Sequence, residues 1–156
     1  MEEKTNVMRI LDQKKIKYTS HSYTSTGAIS GVEVAEALSQ VPEKVFKTLV
    51  TVGKGGGHYV FVIPVAQELD LKKAAKAAGE KSIDMVKSKE LLPLTGYVHG
   101  GCSPIGMKKY FPTFLHLSAK DNDTIMFSAG KIGYQIEMAP SELEKVINFK
   151  YADLTV

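Results

Sequence analysis

The sequence predicts an α+β fold, a single domain with a mostly antiparallel or mixed curved sheet that is flanked by helices. β-Prone runs and helical patterns are mixed along the chain without the regular alternation of a parallel α/β sheet. The 156 residues are enough for one core, with roughly two-thirds of the unfolded surface buried on folding. No repeat or long linker divides the chain, so residues 1–156 are assigned to one domain.

Five segments carry helix signals, and each begins next to a residue that can accept hydrogen bonds from the first turn. The predicted helices are one from Thr5 to the basic cluster at 14–17, one over 31–39 after Ser30, one over 71–78 after Asp70 and closed by Gly79, a short one over 89–92 opened by Ser88 and stopped by Pro93, and one that starts at 140–143, with Ser141 as its cap, and runs to about Phe149.

Six runs rich in β-branched and aromatic residues predict strands at 18–23, 45–52, 58–63, 113–118, 124–127 and 134–138. The second and third flank the glycine-rich stretch 53–57 and predict a hairpin. A phosphate loop is the alternative for 55–57, but the P-loop spacing is missing and no helix signal follows. A hairpin tip is therefore the preferred interpretation.

Composition indicates an ordinary globular protein. The formal net charge is +3, with 20 Lys and Arg against 17 Asp and Glu, a weak basic bias that permits an RNA partner without requiring one. Cys102 is the single cysteine, which excludes an internal disulfide and favours a reducing compartment. The charged N-terminus lacks an apolar signal region and no apolar run approaches the roughly 18 residues of a membrane span. We expect a cytoplasmic protein with neither a membrane nor a DNA partner.

Lys47 conflicts with its surroundings in the strand 45–52. Strand alternation places it on the same face as Val45 and Leu49, where an ammonium is costly unless it meets an anion or a cavity. A lysine that only snorkels to solvent is the structural alternative. The functional interpretation is a cation that holds a phosphate or a carbonyl oxygen.

The stretch 95–109 is the part of the chain that folding rules explain least. It contains the sequence Gly100-Gly101-Cys102-Ser103-Pro104, and glycines there allow a ligand to approach main-chain N–H groups. Cys102 could be a nucleophile with His99 or His58 as its base, but the spacing matches no cysteine-hydrolase signature, and a small packing residue is the better interpretation. The scattered histidines give no zinc motif, so neither a metal nor a cofactor is expected.

Four blocks taken together resemble the YbaK/EbsC family, and within it the bacterial Cys-tRNA(Pro) deacylases, relatives of the editing domain of prolyl-tRNA synthetase. The blocks are 45–49 (Val-Phe-Lys-Thr-Leu), 69–76 (Leu-Asp-Leu-Lys-Lys-Ala-Ala-Lys), 95–106 and 128–131 (Ser-Ala-Gly-Lys). Any one block is weak, but the set occurs in the family's order from about residue 4 to about residue 154. The resemblance is therefore specific.

The resemblance implies hydrolytic removal of cysteine from mischarged tRNA(Pro), with other small amino acids left open. A synthetase pocket built for proline cannot exclude cysteine or alanine by size, so a second site must remove the errors. The implied chemistry needs no metal: the thiol of the bound cysteinyl group attacks its own carbonyl. The implied partners are the aminoacylated 3′ end of tRNA(Pro) and prolyl-tRNA synthetase.

The resemblance also implies roles for individual residues. Lys47 matches a lysine that holds the terminal phosphate or nearby oxygens, and Gly100 and Gly101 match a loop whose N–H groups polarise the substrate carbonyl. The remaining substrate-binding positions are Tyr23, Thr48, Ser103, Ser128 and Gly130.

Three departures from the family bear on substrate choice. Ile132 stands where the family often has arginine, Gln135 where it often has aspartate, and Cys102 where it often has an aliphatic residue. A lost carboxylate could weaken recognition of the substrate's amino group. Three alternatives stay open: an Ala-tRNA(Pro) deacylase, a non-catalytic aminoacyl-tRNA or nucleotide-binding module, and a cysteine-dependent hydrolase.

Overall fold

A computed structural model describes residues 4–156; the first three residues of the charged N-terminus lie outside the described part. The helices are α1 (Asn6–Gln13), α2 (Gly31–Ala37), α3 (Leu71–Ala78), α4 (Ser88–Thr95) and α5 (Pro140–Leu143). The strands are β1 (Thr19–Ser22), β2 (Phe46–Gly53), β3 (His58–Pro64), β4 (Ile83–Met85), β5 (Thr113–His116), β6 (Ile125–Ser128), β7 (Tyr134–Met138) and β8 (Lys150–Ala152). The α+β class is confirmed.

Side-chain caps begin the first three helices as predicted. The Thr5 hydroxyl accepts the N–H of Met8 at 3.2 Å, and the Asp70 carboxylate accepts two first-turn N–H groups of α3. Ser30 and Glu33 form a capping box, in which the Ser30 hydroxyl accepts the Glu33 N–H and the Glu33 carboxylate accepts the Ser30 N–H. These bonds satisfy N–H groups that have no partner within a helix.

Two sheets form instead of one. The smaller has the order β1-β7-β6 and is antiparallel throughout, and the larger has the order β4-β2-β3-β5-β8. In the larger sheet β2 is antiparallel to β3 and β4, whereas β3, β5 and β8 are parallel. A parallel bridge between Val45, the residue before β2, and Met126 of β6 links the two sheets.

The predicted ends of two helices are wrong. α4 continues through Pro93 to Thr95 and begins after Lys87, so Ser88 is its first residue and not its cap. The Thr95 hydroxyl donates to the Leu91 carbonyl at 2.8 Å near the end of this short helix. α5 ends at Leu143, far short of Phe149, and its N-cap is Ala139 in place of Ser141.

Hydrophobic cores cover both faces of the larger sheet. One core packs α1, through Val7 and Leu11, against residues of both sheets such as Val50 and Phe127. The other lies on the opposite face, where α3 covers a cluster that includes Phe61, Ile63, Ala74 and Leu154. Because strand residues alternate between faces, neighbours on β2 point toward different cores. This alternation decides the surroundings of each β2 residue in the site.

Candidate active site

A cleft of about 470 Å³ opens where the two sheets meet. Its walls are the start of β2, the first turn of α2, the end of β6, the start of β7, and the loop after α4. Five of the predicted site residues line it: Tyr23, Lys47, Thr48, Gly100 and Ser128. Segments that are far apart in sequence thus converge on one cavity.

Gly31 sets the position of the α2 wall. An added Cβ at this residue would lie 2.3 Å from Cγ1 of Val65, which is well inside van der Waals contact. The N–H of Val65 in turn donates to the carbonyl of Val45 at 2.8 Å. The absence of a side chain at residue 31 therefore lets α2 approach the strand pair that carries Lys47.

Lys47 lies directly opposite Ile63 in the β2–β3 ladder and is half-buried. Burial lowers the pKa of its ammonium, and the charge of Glu68 opposes that shift. Within residues 4–156 the Lys47 ammonium makes neither a hydrogen bond nor an ion pair. A charged group in a cleft without a protein partner is suited to bind an anion or a developing oxyanion.

Thr48 and Ser128 place hydroxyl groups in the same cleft. The Thr48 hydroxyl oxygen is buried and has no hydrogen-bond partner among the described residues. The Ser128 hydroxyl accepts the N–H of Gly130 at 3.1 Å, which closes the turn between β6 and β7. Tyr23 is 4 % exposed, and its N–H donates to the carbonyl of Gly133 at 2.8 Å.

The loop after α4 is held by its own hydrogen bonds. The hydroxyl of Tyr97 donates to the carbonyl of Ile105, and the hydroxyl of Ser103 accepts the N–H of Ile105 at 3.3 Å. Ser103 is fully buried and lies outside the cleft lining, so its hydroxyl is used inside the loop. This network fixes the shape of the backbone that faces the cleft.

Gly100 and Gly101 differ in what their N–H groups can do. The N–H of Gly101 donates to the carbonyl of Val98 at 3.0 Å and is not available to a substrate. The N–H of Gly100 has no partner within residues 4–156, and Gly100 lines the cleft. The predicted oxyanion role therefore stays a prediction for Gly100, whereas Gly101 shapes the turn that presents it.

Gly130 is a packing position behind the cleft. Its φ is +92°, and a Cβ there would lie 3.0 Å from side-chain atoms of both Val7 and Tyr97. It does not line the cavity, so contact with substrate is not part of this geometry. Its close approach to α1 instead positions the turn that carries Ser128.

Cys102 borders the cleft as a protonated thiol. Burial raises its pKa to about 12, although a hydrogen bond with Thr95 acts in the opposite direction. His99 also lines the cleft, but His58 packs against Phe111 with ring centroids 5.5 Å apart and lies outside the lining. A thiol with this pKa is a poor nucleophile at neutral pH, which favours the packing interpretation.

Two of the three departures from the family pattern, Gln135 and Cys102, line the cleft, and the third, Ile132, packs behind it against Gly100. Gln135 is 3 % exposed, and its amide exchanges two hydrogen bonds with Gln40, at 2.7 and 3.1 Å. Ile132 is 40 % exposed and lies against Gly100 and Gly101. Where a carboxylate and a guanidinium are common in the family, this chain has a neutral amide pair and an aliphatic side chain.

Sequence reasoning missed Glu33, Gln40 and Val65 as parts of the site. The Ser30-x-x-Glu33 spacing is a visible capping-box signal, but nothing local shows that this turn borders a cleft. The contact of Gln40 with Gln135 spans 95 residues. No group of three or more His, Cys, Asp or Glu side chains that could hold a metal occurs in the part of the chain that the structure describes.

Residues 27–146 match the aminoacyl-tRNA editing domain family, and the chain belongs to it. The chain is thus an enzyme of the class that releases amino acids from tRNA.

A relative from Enterococcus faecalis, strain ATCC 700802 / V583, is named "Putative Cys-tRNA(Pro)/Cys-tRNA(Cys) deacylase EbsC". It is 48 % identical over 155 residues, which cover 99 % of this chain and 94 % of the relative. The resemblance to the YbaK/EbsC family is confirmed.

Solved structures support the fold. The "putative trans-editing enzyme for prolyl tRNA synthetase" superposes with a TM-score of 0.83 at 24 % identity and covers 99 % of both chains. A hypothetical protein superposes with a TM-score of 0.87 at 21 % identity and covers 96 % of this chain and 99 % of its own. Among residues 4–156, no helix has the length and apolar character needed to cross a membrane.

Proposed function

We propose that the protein removes cysteine from mischarged tRNA(Pro). The observation that carries this proposal is the half-buried ammonium of Lys47, which has no protein partner within residues 4–156 and lies in a cleft that Gly100 also lines. The name of the Enterococcus relative, a Cys-tRNA deacylase, supports the same substrate class. We also propose that residues 1–156 act as a single editing domain.

The reacting thiol comes from the substrate in this mechanism. The sulfur of the bound cysteinyl group attacks its own ester carbonyl, a C–S bond forms, and the carbonyl oxygen becomes an oxyanion. The C–O bond to the ribose then breaks, and the 3′-oxygen leaves with the proton from the thiol. The products are uncharged tRNA and a cysteine thiolactone, which water opens to cysteine.

The side chains of the cleft suit this route. The N–H of Gly100 addresses the oxyanion, and Lys47 holds the phosphate or ribose oxygens of the terminal nucleotide. Cys102, with its pKa raised to about 12, does not compete as a nucleophile. No metal takes part, so we expect activity to persist in the presence of EDTA.

Purified protein should be incubated with Cys-tRNA(Pro), Ala-tRNA(Pro), Ser-tRNA(Pro) and Cys-tRNA(Cys), and the loss of each ester followed over time. We expect the cysteinyl esters to be hydrolysed and the ester of Ser-tRNA(Pro) to stay intact, because serine has nearly the same shape as cysteine but lacks the thiol. Fast loss of alanine or serine would refute the thiol-assisted route. Absence of ester loss above background from every substrate would refute the deacylase itself.

We further propose that the protein acts in the cytoplasm beside prolyl-tRNA synthetase. The net charge of +3 gives a weak electrostatic attraction for tRNA, so selection of the correct tRNA benefits from a partner that already binds it. Addition of the synthetase should raise the rate on Cys-tRNA(Pro) more than on Cys-tRNA(Cys). An equal effect on the two substrates would contradict this partnership.

A further inference from the structure

We infer that Glu33 binds the α-ammonium group of the aminoacyl ester and so selects substrates with a free amino group. The inference rests on the proposed function and deepens it. The ligand brings two opposite charges into the cleft. An aminoacylated 3′ end carries a phosphate anion at one end and an α-ammonium at the other, and Lys47 can serve only the anion.

Position 135 does not supply the negative charge that an ammonium requires. Gln135 is neutral, and its amide already exchanges two hydrogen bonds with Gln40. An amide in such a reciprocal pair keeps a fixed orientation, with one carbonyl lone pair and one N–H already used. A carboxylate that binds the ammonium therefore lies on another wall of the cleft.

Glu33 carries the only carboxylate among the described residues that line the cleft. It forms no ion pair within residues 4–156, and the nearby charge that acts on Lys47 is that of Glu68 instead. The Lys47 ammonium and the Glu33 carboxylate therefore do not neutralise each other, and each can bind a charged group of the ligand. This arrangement complements a ligand whose own opposite charges are separated.

The capping box holds the Glu33 carboxylate in place. Oε1 accepts the N–H of Ser30 at 3.1 Å, and an ionised carboxylate has further lone pairs that can accept from a ligand. The Ser30 hydrogen bonds lower the pKa of Glu33, so the group is ionised at neutral pH. The contact of Gly31 with Val65 fixes the same turn against the strands that carry Lys47.

Glu33→Gln tests this role, because a glutamine carbonyl can accept the same Ser30 N–H while the charge is lost. Glu36→Gln is the matched control: Glu33 and Glu36 are both exposed on the same helix, but only Glu33 lines the cleft. Both variants should be compared with wild type on Cys-tRNA(Pro) and on tRNA(Pro) acylated with 3-mercaptopropionate. The second ester keeps the thiol and lacks only the amino group.

The readout is the ratio of kcat/KM for Cys-tRNA(Pro) to kcat/KM for the mercaptopropionyl ester. The amino group also changes the intrinsic reactivity of the ester, but this effect is the same for every variant and cancels when the ratios of two variants are compared. We expect Glu33→Gln to lower the ratio about two- to fivefold, because Glu33 is exposed and ion pairs between exposed groups are weak. Most of the change should be a higher KM for Cys-tRNA(Pro). The rate on the mercaptopropionyl ester should not change, and Glu36→Gln should behave as wild type.

Failure of the inference differs from failure of the proposed function. If wild type cleaves Cys-tRNA(Pro) and Glu33→Gln has an unchanged ratio, or loses both substrates equally, Glu33 does not bind the ammonium. If wild type cleaves neither ester, the proposed function falls and the inference with it. Should Glu33→Gln fail to fold, Glu33→Ala takes its place: it also removes the charge, and an unchanged ratio would equally refute the role.

Discussion

Substitution of Gly31 by alanine tests whether the close approach of α2 builds the cleft. The new Cβ would lie 2.3 Å from Cγ1 and 2.8 Å from Cβ of Val65. An ordinary carbon–carbon contact is roughly 3.5–4.0 Å, so α2 or Val65 must move by about 1.2–1.7 Å. Val65 is 5 % exposed and packs with Ala35, Val45 and Met126, which leaves it little room to yield.

The expected cost follows from two opposing effects. Overpacking a close-packed region costs about 1–3 kcal/mol, while replacement of glycine in a helix returns up to about 1 kcal/mol. We expect Gly31→Ala to be destabilised by about 1–2 kcal/mol, a fall in Tm of about 2–8 °C for a chain of this length. Because a displacement near 1 Å can cost about 100-fold in rate, kcat/KM on Cys-tRNA(Pro) should fall at least about tenfold.

The control is the double variant Gly31→Ala/Val65→Ala. Val65→Ala alone removes two methyl groups, which costs about 1.6 kcal/mol of transfer free energy, but it also removes the atoms that the new Cβ meets. Urea unfolding and deacylation should both show a coupling of about 1 kcal/mol or more between the two sites. Additive losses, or a Gly31→Ala variant with the wild-type Tm and rate, would refute the reasoning.

Three further predictions concern Lys47, Cys102 and His116. Lys47→Ala should abolish deacylation and leave Tm and the circular dichroism spectrum unchanged, because the Lys47 ammonium makes no hydrogen bond or ion pair within residues 4–156. Retained activity in this variant would exclude Lys47 from the mechanism. Cys102→Ser should keep most activity, and iodoacetamide at pH 7 should leave wild type active because burial raises the thiol pKa to about 12; loss in both tests would restore the nucleophile hypothesis. His116 has its pKa lowered below 6.5, mainly by burial, and its Nδ1 accepts the N–H of Leu154 at 3.1 Å. The unfolded chain therefore binds the proton more readily, so the free energy of unfolding should be highest above about pH 6.5 and fall below it. Urea titrations at pH 7.5 and 5.5 measure this fall. His116→Gln should lose less stability than wild type between the two pH values.

Local features were predictable because their causes lie within a few residues. Thr5, Ser30 and Asp70 cap helices by bonds to N–H groups two or three residues away, and the β2–β3 hairpin needs only a turn between two β-prone runs. The unusual position of Lys47 was visible for the same reason, since strand alternation alone places it beside Leu49. The short strands β4 and β8 were missed because three residues carry too little pattern.

Long-range pairing required the tertiary structure. The parallel pairs of β3 with β5 and of β5 with β8 join segments separated by long stretches of chain, and no short-range signal selects such partners. The same holds for the bridge between Val45 and Met126 that brings the two sheets together at the cleft.

The chain's sequence by itself determined the family, the cap of each early helix and the residues Lys47, Gly100 and Ser128 that line the cleft. Only the tertiary structure decided which neighbouring groups are available to a substrate. It shows that the N–H of Gly101 is already bonded to Val98 and that Glu33 is the carboxylate on the cleft wall. The physical reason is that the residue type determines which hydrogen bonds and ion pairs a group can form, whereas the fold determines which of these bonds are already made with other parts of the chain.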